Sequence, residues 1–187
     1  MSQESRYVSR AGQKLEAALR GFRLVVSGWI CTDFGSHTGG FVDCLLQHGA
    51  ARVHAVDPGY GILDYRLRRD PRVVVHERTN ALRFVPPEPC DLVTIDVGWT
   101  PQRLILPAVR RALKPGGRVV SLVKPQYEAA AGALRGGVVL SEHLESVLMQ
   151  CRREVAALGW QITSEIESPV RGHGGNIEFL WLLARVN

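Results

Sequence analysis

Paired cysteines are missing from this sequence. Cys31, Cys44, Cys90 and Cys151 stand far apart, with no Cys-x-x-Cys pair and no histidine at a zinc-type spacing. That excludes a zinc ribbon or a disulfide framework, and the four read as small core residues of a reduced intracellular protein. The six histidines are equally dispersed, so no metal site is expected. Long hydrophobic runs are also missing: the longest, FLWLLA, has six residues, whereas a membrane-spanning helix needs roughly 20. The start, MSQESRYVSR, contains no apolar signal segment. A cytoplasmic protein with no membrane partner is the expectation. There is no internal repeat, low-complexity tract or interdomain linker, so residues 1–187 are expected to form a single domain, with 1–23 as an N-terminal helical segment packing on it. Acidic excess is absent too. Lys plus Arg outnumber Asp plus Glu by 23 − 18 = 5, a balance that suits a polyanionic partner.

Hydrophobic residues make up 45% of the 187 positions, enough for a sizeable core. They fall in short β-rich runs separated by helical patterns. The strand candidates are GWICTDFG, ARVHAVDPG, RVVVHE, DLVTID, GRVVSLVKP, WQITSEIE and IEFLWLLARV. The clearest helix is SEHLESVLMQCRREVAAL, where Leu144, Val147, Leu148, Cys151, Val155 and Leu158 recur three or four apart. A first helix over SRAGQKLEAALRGF places Leu15, Ala18, Leu19 and Phe22 on one face after a Ser9 cap, with Lys14 on the flank of that face. Alternation of this kind predicts a three-layer α/β domain with a mostly parallel sheet. Only RGHGGN joins the last two strands, so they are expected to pair antiparallel. AAAGALRGG is the one stretch expected to be mobile.

Ligands of open α/β sheets bind outside the carboxyl ends of the strands. The first strand runs into DFGSHTGGF, where Asp33 precedes Gly35, Gly39 and Gly40; glycines there allow a tight turn and close backbone approach at a helix N-terminus. The second ends at Asp57, 57 − 35 = 22 residues after Gly35, the distance at which an acid accepts hydrogen bonds from a ribose diol. A nucleoside-containing cofactor follows. The Gly-x-x-x-Gly-Gly spacing differs from the Gly-x-Gly-x-x-Gly that cradles a dinucleotide pyrophosphate, which favours S-adenosylmethionine over a nicotinamide. Around its methionine end we expect Asp33, Gly35, Ser36, His37, Gly39, Gly40 and Phe41, with Asp57 at the ribose and Thr79 and Asn80 near the adenine. Asp96 ends the fourth strand, Lys124 the fifth, and Asn176 and Glu178 begin the last. With Lys14 entering from the first helix, two lysines and two carboxylates converge on one cleft, where each carboxylate can hold a lysine in place.

These motifs resemble a known family. YVSRAGQKLEAAL, DFGSHTGGFVDCLLQHGAARVHAVDPGYG, RVVVHERTNA, DLVTIDVG, VSLVKPQYE and SPVRGHGGNIEF together look like the methyltransferase domain of the TlyA/hemolysin A proteins, within the FtsJ-like group of ribosomal RNA ribose 2′-O-methyltransferases. The resemblance covers nearly the whole chain. It implies a Rossmann-like fold with a seven-stranded, mostly parallel sheet, helices on both faces and an antiparallel last strand, with S-adenosylmethionine as methyl donor. It also implies a catalytic Lys-Asp-Lys-Glu tetrad at Lys14, Asp96, Lys124 and Glu178, and RNA, ribosomal RNA or a ribosomal subunit, as partner. TlyA-type proteins carry an RNA-binding S4 domain ahead of the segment equivalent to YVSRAG, where this sequence has only a few residues. The expectation is therefore a domain lacking S4, with a partner protein possible in its place. Ser36 and His37 stand where the family favours Ala and Ser, and GWT follows Asp96 where the family has a serine and an aromatic. Candidate phosphate contacts are Arg6, Arg10, Arg20, Arg23 and Arg171. The competing reading is a catalytically weak or inactive methyltransferase fold that binds RNA or the ribosome.

Overall fold

Each of the seven apolar runs becomes a strand. In a computed structural model, which describes residues 6–186, the chain runs α1 (Ala11–Gly21), β1 (Ile30–Phe34), α2 (Gly40–Gln47), β2 (Arg52–Val56), α3 (Tyr65–Arg68) and β3 (Val73–His76). It continues through β4 (Cys90–Ile95), α4 (Gln102–Ala112), β5 (Leu113–Val123), α5 (Pro125–Glu128), β6 (Leu134–Arg135), β7 (Val138–Val139), α6 (Ser141–Ala157), β8 (Trp160–Glu167) and β9 (Phe179–Arg185). Residues 1–5 of the expected N-terminal segment lie outside the described residues.

The main sheet has seven strands in the order β3-β2-β1-β4-β5-β9-β8. Pairing is parallel from β3 across to β5, while β9 lies antiparallel between β5 and β8. The order reverses direction at β1 and β4, which opens a crevice at their carboxyl ends. Two apolar clusters sandwich the sheet, and the two-residue period of the strands sorts side chains between them. Val120 and Leu122 of β5 face the cluster containing Leu15, Ala18 and Leu19 of α1 and Val42 and Leu45 of α2. Val119 and Val123 face the opposite cluster, with Ile105 and Val109 of α4 and Leu148 and Val155 of α6. Strands buried on both faces are why these runs read as continuous Val, Ile and Leu. Each fully buried aliphatic side chain contributes roughly 1.5–3 kcal/mol.

One local expectation is corrected. Ser9 does not cap α1: Arg10 occupies the N-cap with helical dihedrals and no side-chain cap, and Ser9 gives only its carbonyl, to the Gly12 N–H at 3.1 Å. The Ser9 hydroxyl instead takes the space that a Cβ on Gly40 would need. The AAAGALRGG stretch forms a 3-10 turn at Ala131–Ala133 and runs into the β6–β7 hairpin. Asn176 ties that hairpin to the last loop, accepting from Val139 N at 3.1 Å and donating to the carbonyls of Gly137 and His173, both at 3.0 Å.

Candidate active site

The β1–α2 turn floors the crevice. Gly35 adopts φ +84°, and a Cβ there would stand 2.6 Å from the Asp96 carbonyl oxygen, so only glycine lets the ends of β1 and β4 close up. The Asp96 N–H completes that seam with a bond to Phe34 O at 2.9 Å. Gly35 N and Ser36 N both donate to Val56 O, at 2.9 and 3.1 Å, which ties the turn to the end of β2. Above it lies a cavity of about 600 Å³, walled by Asp33, Gly35, Ser36, His37, Gly40 and Phe41 on one side and by Asp96, Val97, Gly98, Trp99 and Lys124 on another.

Asp57 is anchored before any ligand reaches it. Its Oδ2 accepts from His37 N at 2.9 Å and its Oδ1 from Gly59 N at 2.7 Å, which aims the carboxylate at the cavity it lines. Asp33 is set differently. It is 1% exposed, its Oδ1 accepts from Thr94 Oγ1 at 2.6 Å, and among the described residues its Oδ2 has no hydrogen-bond partner. Burial, followed by the charges of Asp96 and Asp57, pushes its carboxyl up to about 8, against the downward pull of Thr94. The unpartnered Oδ2 on the cavity wall can accept from a cationic ligand group, whose charge would favour the ionised carboxylate.

The two lysines and two carboxylates form two ion pairs. Lys124 Nζ sits 2.7 Å from Asp96 Oδ1, donates to Val97 O at 3.0 Å, and lies 5.8 Å from the Tyr127 ring centroid. Lys14 Nζ donates to Glu178 Oε2 at 2.5 Å, with both side chains less than 10% exposed. The β5–β9 ladder joins the pairs: its last register match is Val123 with Phe179, so Lys124 and Glu178 stand one step beyond, on neighbouring strands. Gly172 in the last loop makes room for the Glu178 carboxylate, which a Cβ at that position would strike.

Ser36, His37, Asp57 and Asn80 line the cavity as expected, but Thr79 and Gly39 do not. Thr79 turns its hydroxyl back onto Glu77 O at 2.8 Å and gives its N–H to Asp57 O at 3.0 Å, so it braces the backbone at Asp57. Gly39, at φ +101°, packs under Leu63 and Leu67 of the β2–α3 region. Lys14 and Glu178 are off the cavity wall, behind Lys124. Trp99 was not singled out from its position in the sequence; it is 86% exposed at φ 58°, with its ring 5.0 Å from that of Tyr127. The only available signal was an aromatic in a loop directly after a strand-end acid. Arg10, Arg20 and Arg23 are exposed around α1, Arg6 pairs with Glu16, and Arg171 pairs with Glu167 at 3.1 Å. The four cysteines are free and buried, and burial raises every thiol pKa, so they remain protonated. Among the described residues, no helix is long and apolar enough to cross a membrane.

Comparison with known proteins places this geometry. A family model described as FtsJ-like methyltransferase matches residues 7–185. The chain is 45% identical over 182 residues to YqxC of Bacillus subtilis, which is named as a candidate rRNA methyltransferase, covering 94% of this chain and 64% of that one. It is also 45% identical over 187 residues to the 16S/23S rRNA (cytidine-2′-O)-methyltransferase TlyA of Mycobacterium tuberculosis, covering 96% of this chain and 69% of that one. This chain thus spans about two thirds of the length of these curated relatives. A solved structure titled as a candidate hemolysin from Streptococcus thermophilus superposes with a TM-score of 0.95 at 40% identity, covering 100% of this chain and 70% of the other.

Proposed function

The chain belongs to the FtsJ-like methyltransferase family, and on that premise we propose that it transfers a methyl group from S-adenosylmethionine to a ribose 2′-hydroxyl of ribosomal RNA. The observation that carries this reading is the Lys124–Asp96 ion pair on the wall of a cavity that also holds Asp33 and Asp57. The residues present fit the cofactor. Asp33 offers an unpartnered buried oxygen for a cationic amino group, Asp57 offers a preset carboxylate for a diol, and Gly35 and Gly40 let the backbone between β1 and α2 pack closely against Asp96 and the start of α1. When bound, S-adenosylmethionine supplies a methyl group on a positively charged sulfur, open to in-line attack.

The protein's own work is to align and deprotonate the attacking oxygen. Asp96 and the Val97 carbonyl occupy two of the three N–H donors of Lys124. One valence remains for the ribose hydroxyl. As an ammonium, Lys124 orients the oxygen and offsets its developing negative charge; as an amine, it accepts the hydroxyl proton. Lys14 is paired with Glu178, which stands opposite Lys124 at the end of the β5–β9 ladder, so this second pair fixes the strand end that presents Lys124. Trp99, exposed at the cavity mouth and backed by Tyr127, presents a stacking face to the base of the target nucleotide. Arg6, Arg10, Arg20, Arg23 and Arg171 are the candidate phosphate contacts.

The test is transfer of tritiated methyl from S-adenosylmethionine to ribosomal RNA, followed by nuclease mapping of the product. Label on ribose is expected, and label on a base, or none, overturns the proposal. Asp57→Ala is expected to weaken S-adenosylhomocysteine binding about tenfold or more in calorimetry, since two charge-assisted hydrogen bonds to the ribose would be lost. Unchanged affinity would remove Asp57 from the ribose. RNA affinity should fall steeply with salt as phosphate contacts release counterions; a flat dependence would show that the arginines do not meet the backbone.

A further inference from the structure

Loop 96–101 carries Asp96 and Trp99 and ends at α4, while the opposing segment carries Lys124, Tyr127 and Glu128. Near ends of the two are joined by the Lys124 bonds to Asp96 and Val97. Their far ends are joined by Glu128. Pro101, at the N-cap of α4, has no side chain that can cap, and the first helical N–H, that of Gln102, donates instead to Glu128 Oε1 at 2.8 Å. Gln102 is itself locked below, its Oε1 accepting from Ser121 Oγ at 2.7 Å with both residues buried. The Glu128 carboxyl also interacts electrostatically with the Cys151 thiol of α6. It therefore meets α4 and α6 at one point, directly behind the turn that presents Lys124.

We propose that Glu128 is a positioning residue: by capping α4 from another element, it clamps loop 96–101 onto the α5 turn and so sets the placement of Asp96 and Trp99 against Lys124. The inference rests on the reading of Lys124 and Asp96 as the reaction centre. A helix N-terminus normally takes its cap from its own chain end. Here the cap comes from 26 residues further along, out of the opposing wall of the site. Loosening it frees the one segment that both supplies the lysine's counter-ion and carries the exposed aromatic. A misplacement of about 1 Å at such a pair costs on the order of a hundredfold in rate. Burial pushes the Glu128 carboxyl up to about 7, so the neutral form already serves at neutral pH. The hydrogen bond matters more than the charge, and glutamine should therefore substitute.

The test compares the parent chain, Glu128→Ala and Glu128→Gln by hydrogen exchange and by single-turnover methyl transfer to ribosomal RNA. In Glu128→Ala, exchange of amides 97–100 and 102 is expected to accelerate about tenfold or more. The transfer rate should fall by a similar factor, with S-adenosylhomocysteine affinity within about threefold of the parent. Glu128→Gln should restore both readouts. Unchanged loop exchange in Glu128→Ala, or a Glu128→Gln as impaired as the alanine variant, overturns the proposal. Should Glu128→Ala not fold, Glu128→Asp, which draws the carboxylate back by one methylene, takes its place with the same expectations. A parent chain that transfers no methyl group overturns the reading of the reaction centre, while the exchange measurements still decide whether the clamp exists.

Discussion

Lys124→Ala is expected to lower methyl transfer by about a thousandfold or more while S-adenosylhomocysteine affinity stays within about threefold. The alanine removes both the group that orients the attacking oxygen and the cation paired with Asp96 on the cavity wall. The cofactor contacts proposed for Asp33, Asp57 and the glycine turn stay in place. Lys14→Ala is the informative contrast. Its partner Glu178 has a side chain only 4% exposed, so the variant leaves a buried carboxylate unpaired. That costs about 3–5 kcal/mol, and the variant should lose both rate and melting temperature. Single-turnover kinetics combined with thermal unfolding separates the two. A Lys124→Ala enzyme that keeps its rate would remove Lys124 from the chemistry.

The second large effect concerns pH. Asp33 carries its proton in the folded state up to about 8, whereas an ordinary aspartate releases it near 3.8. Between those values the folded chain binds more protons than the unfolded one, so stability falls as pH rises from about 4 to about 8 and then levels off. By pH 7 the loss from this group is on the order of 4 kcal/mol. Glu128 acts in the same direction over a narrower window, from 4.5 to about 7. The Asp33 contribution is isolated by comparing the parent with Asp33→Asn, which keeps an oxygen for Thr94 but has no proton to release. Chemical denaturation at several pH values should give a parent-minus-variant stability that falls as pH rises from about 4 to about 8, and a constant difference would contradict the linkage. Binding of the cofactor's cationic amino group should favour the ionised form of Asp33 and expel its proton. Calorimetry near pH 7 in phosphate and in Tris should then give different apparent enthalpies for the parent and equal ones for Asp33→Asn.

Strands were the legible part of this fold, because a sheet covered on both faces leaves uninterrupted runs such as RVVV and FLWLLA. The short RGHGGN connection was enough to expect β8 and β9 antiparallel, and they are. Local hydrogen bonding was less legible. A serine near a helix start suggested a cap, yet backbone geometry put Arg10 there and turned Ser9 toward Gly40. Asp96 and Lys124 share one crevice because strand ends in an open sheet face it, and their pairing follows from the neighbouring β4 and β5, whereas Lys14 on α1 and Glu178 form a separate ion pair off the cavity wall. The orientation of Thr79 was not legible, since a position after a strand does not say which way a hydroxyl turns. Glu128 gave no signal at all. Its partner is a backbone N–H in another element, and any residue other than proline at position 102 would present the same donor.

The place of β9 in the sheet bears on how the protein is made. Every strand up to β8 leaves the ribosome before β9, yet β9 is the one that sits between β5 and β8. A nascent chain synthesised through β8 has a vacant lane in its sheet and an unneutralised Lys14, whose partner lies 164 residues away. Pairings of such long range form slowly. Completion of the sheet and formation of the Lys14–Glu178 pair are therefore one event, reached only when β9 inserts between β5 and β8.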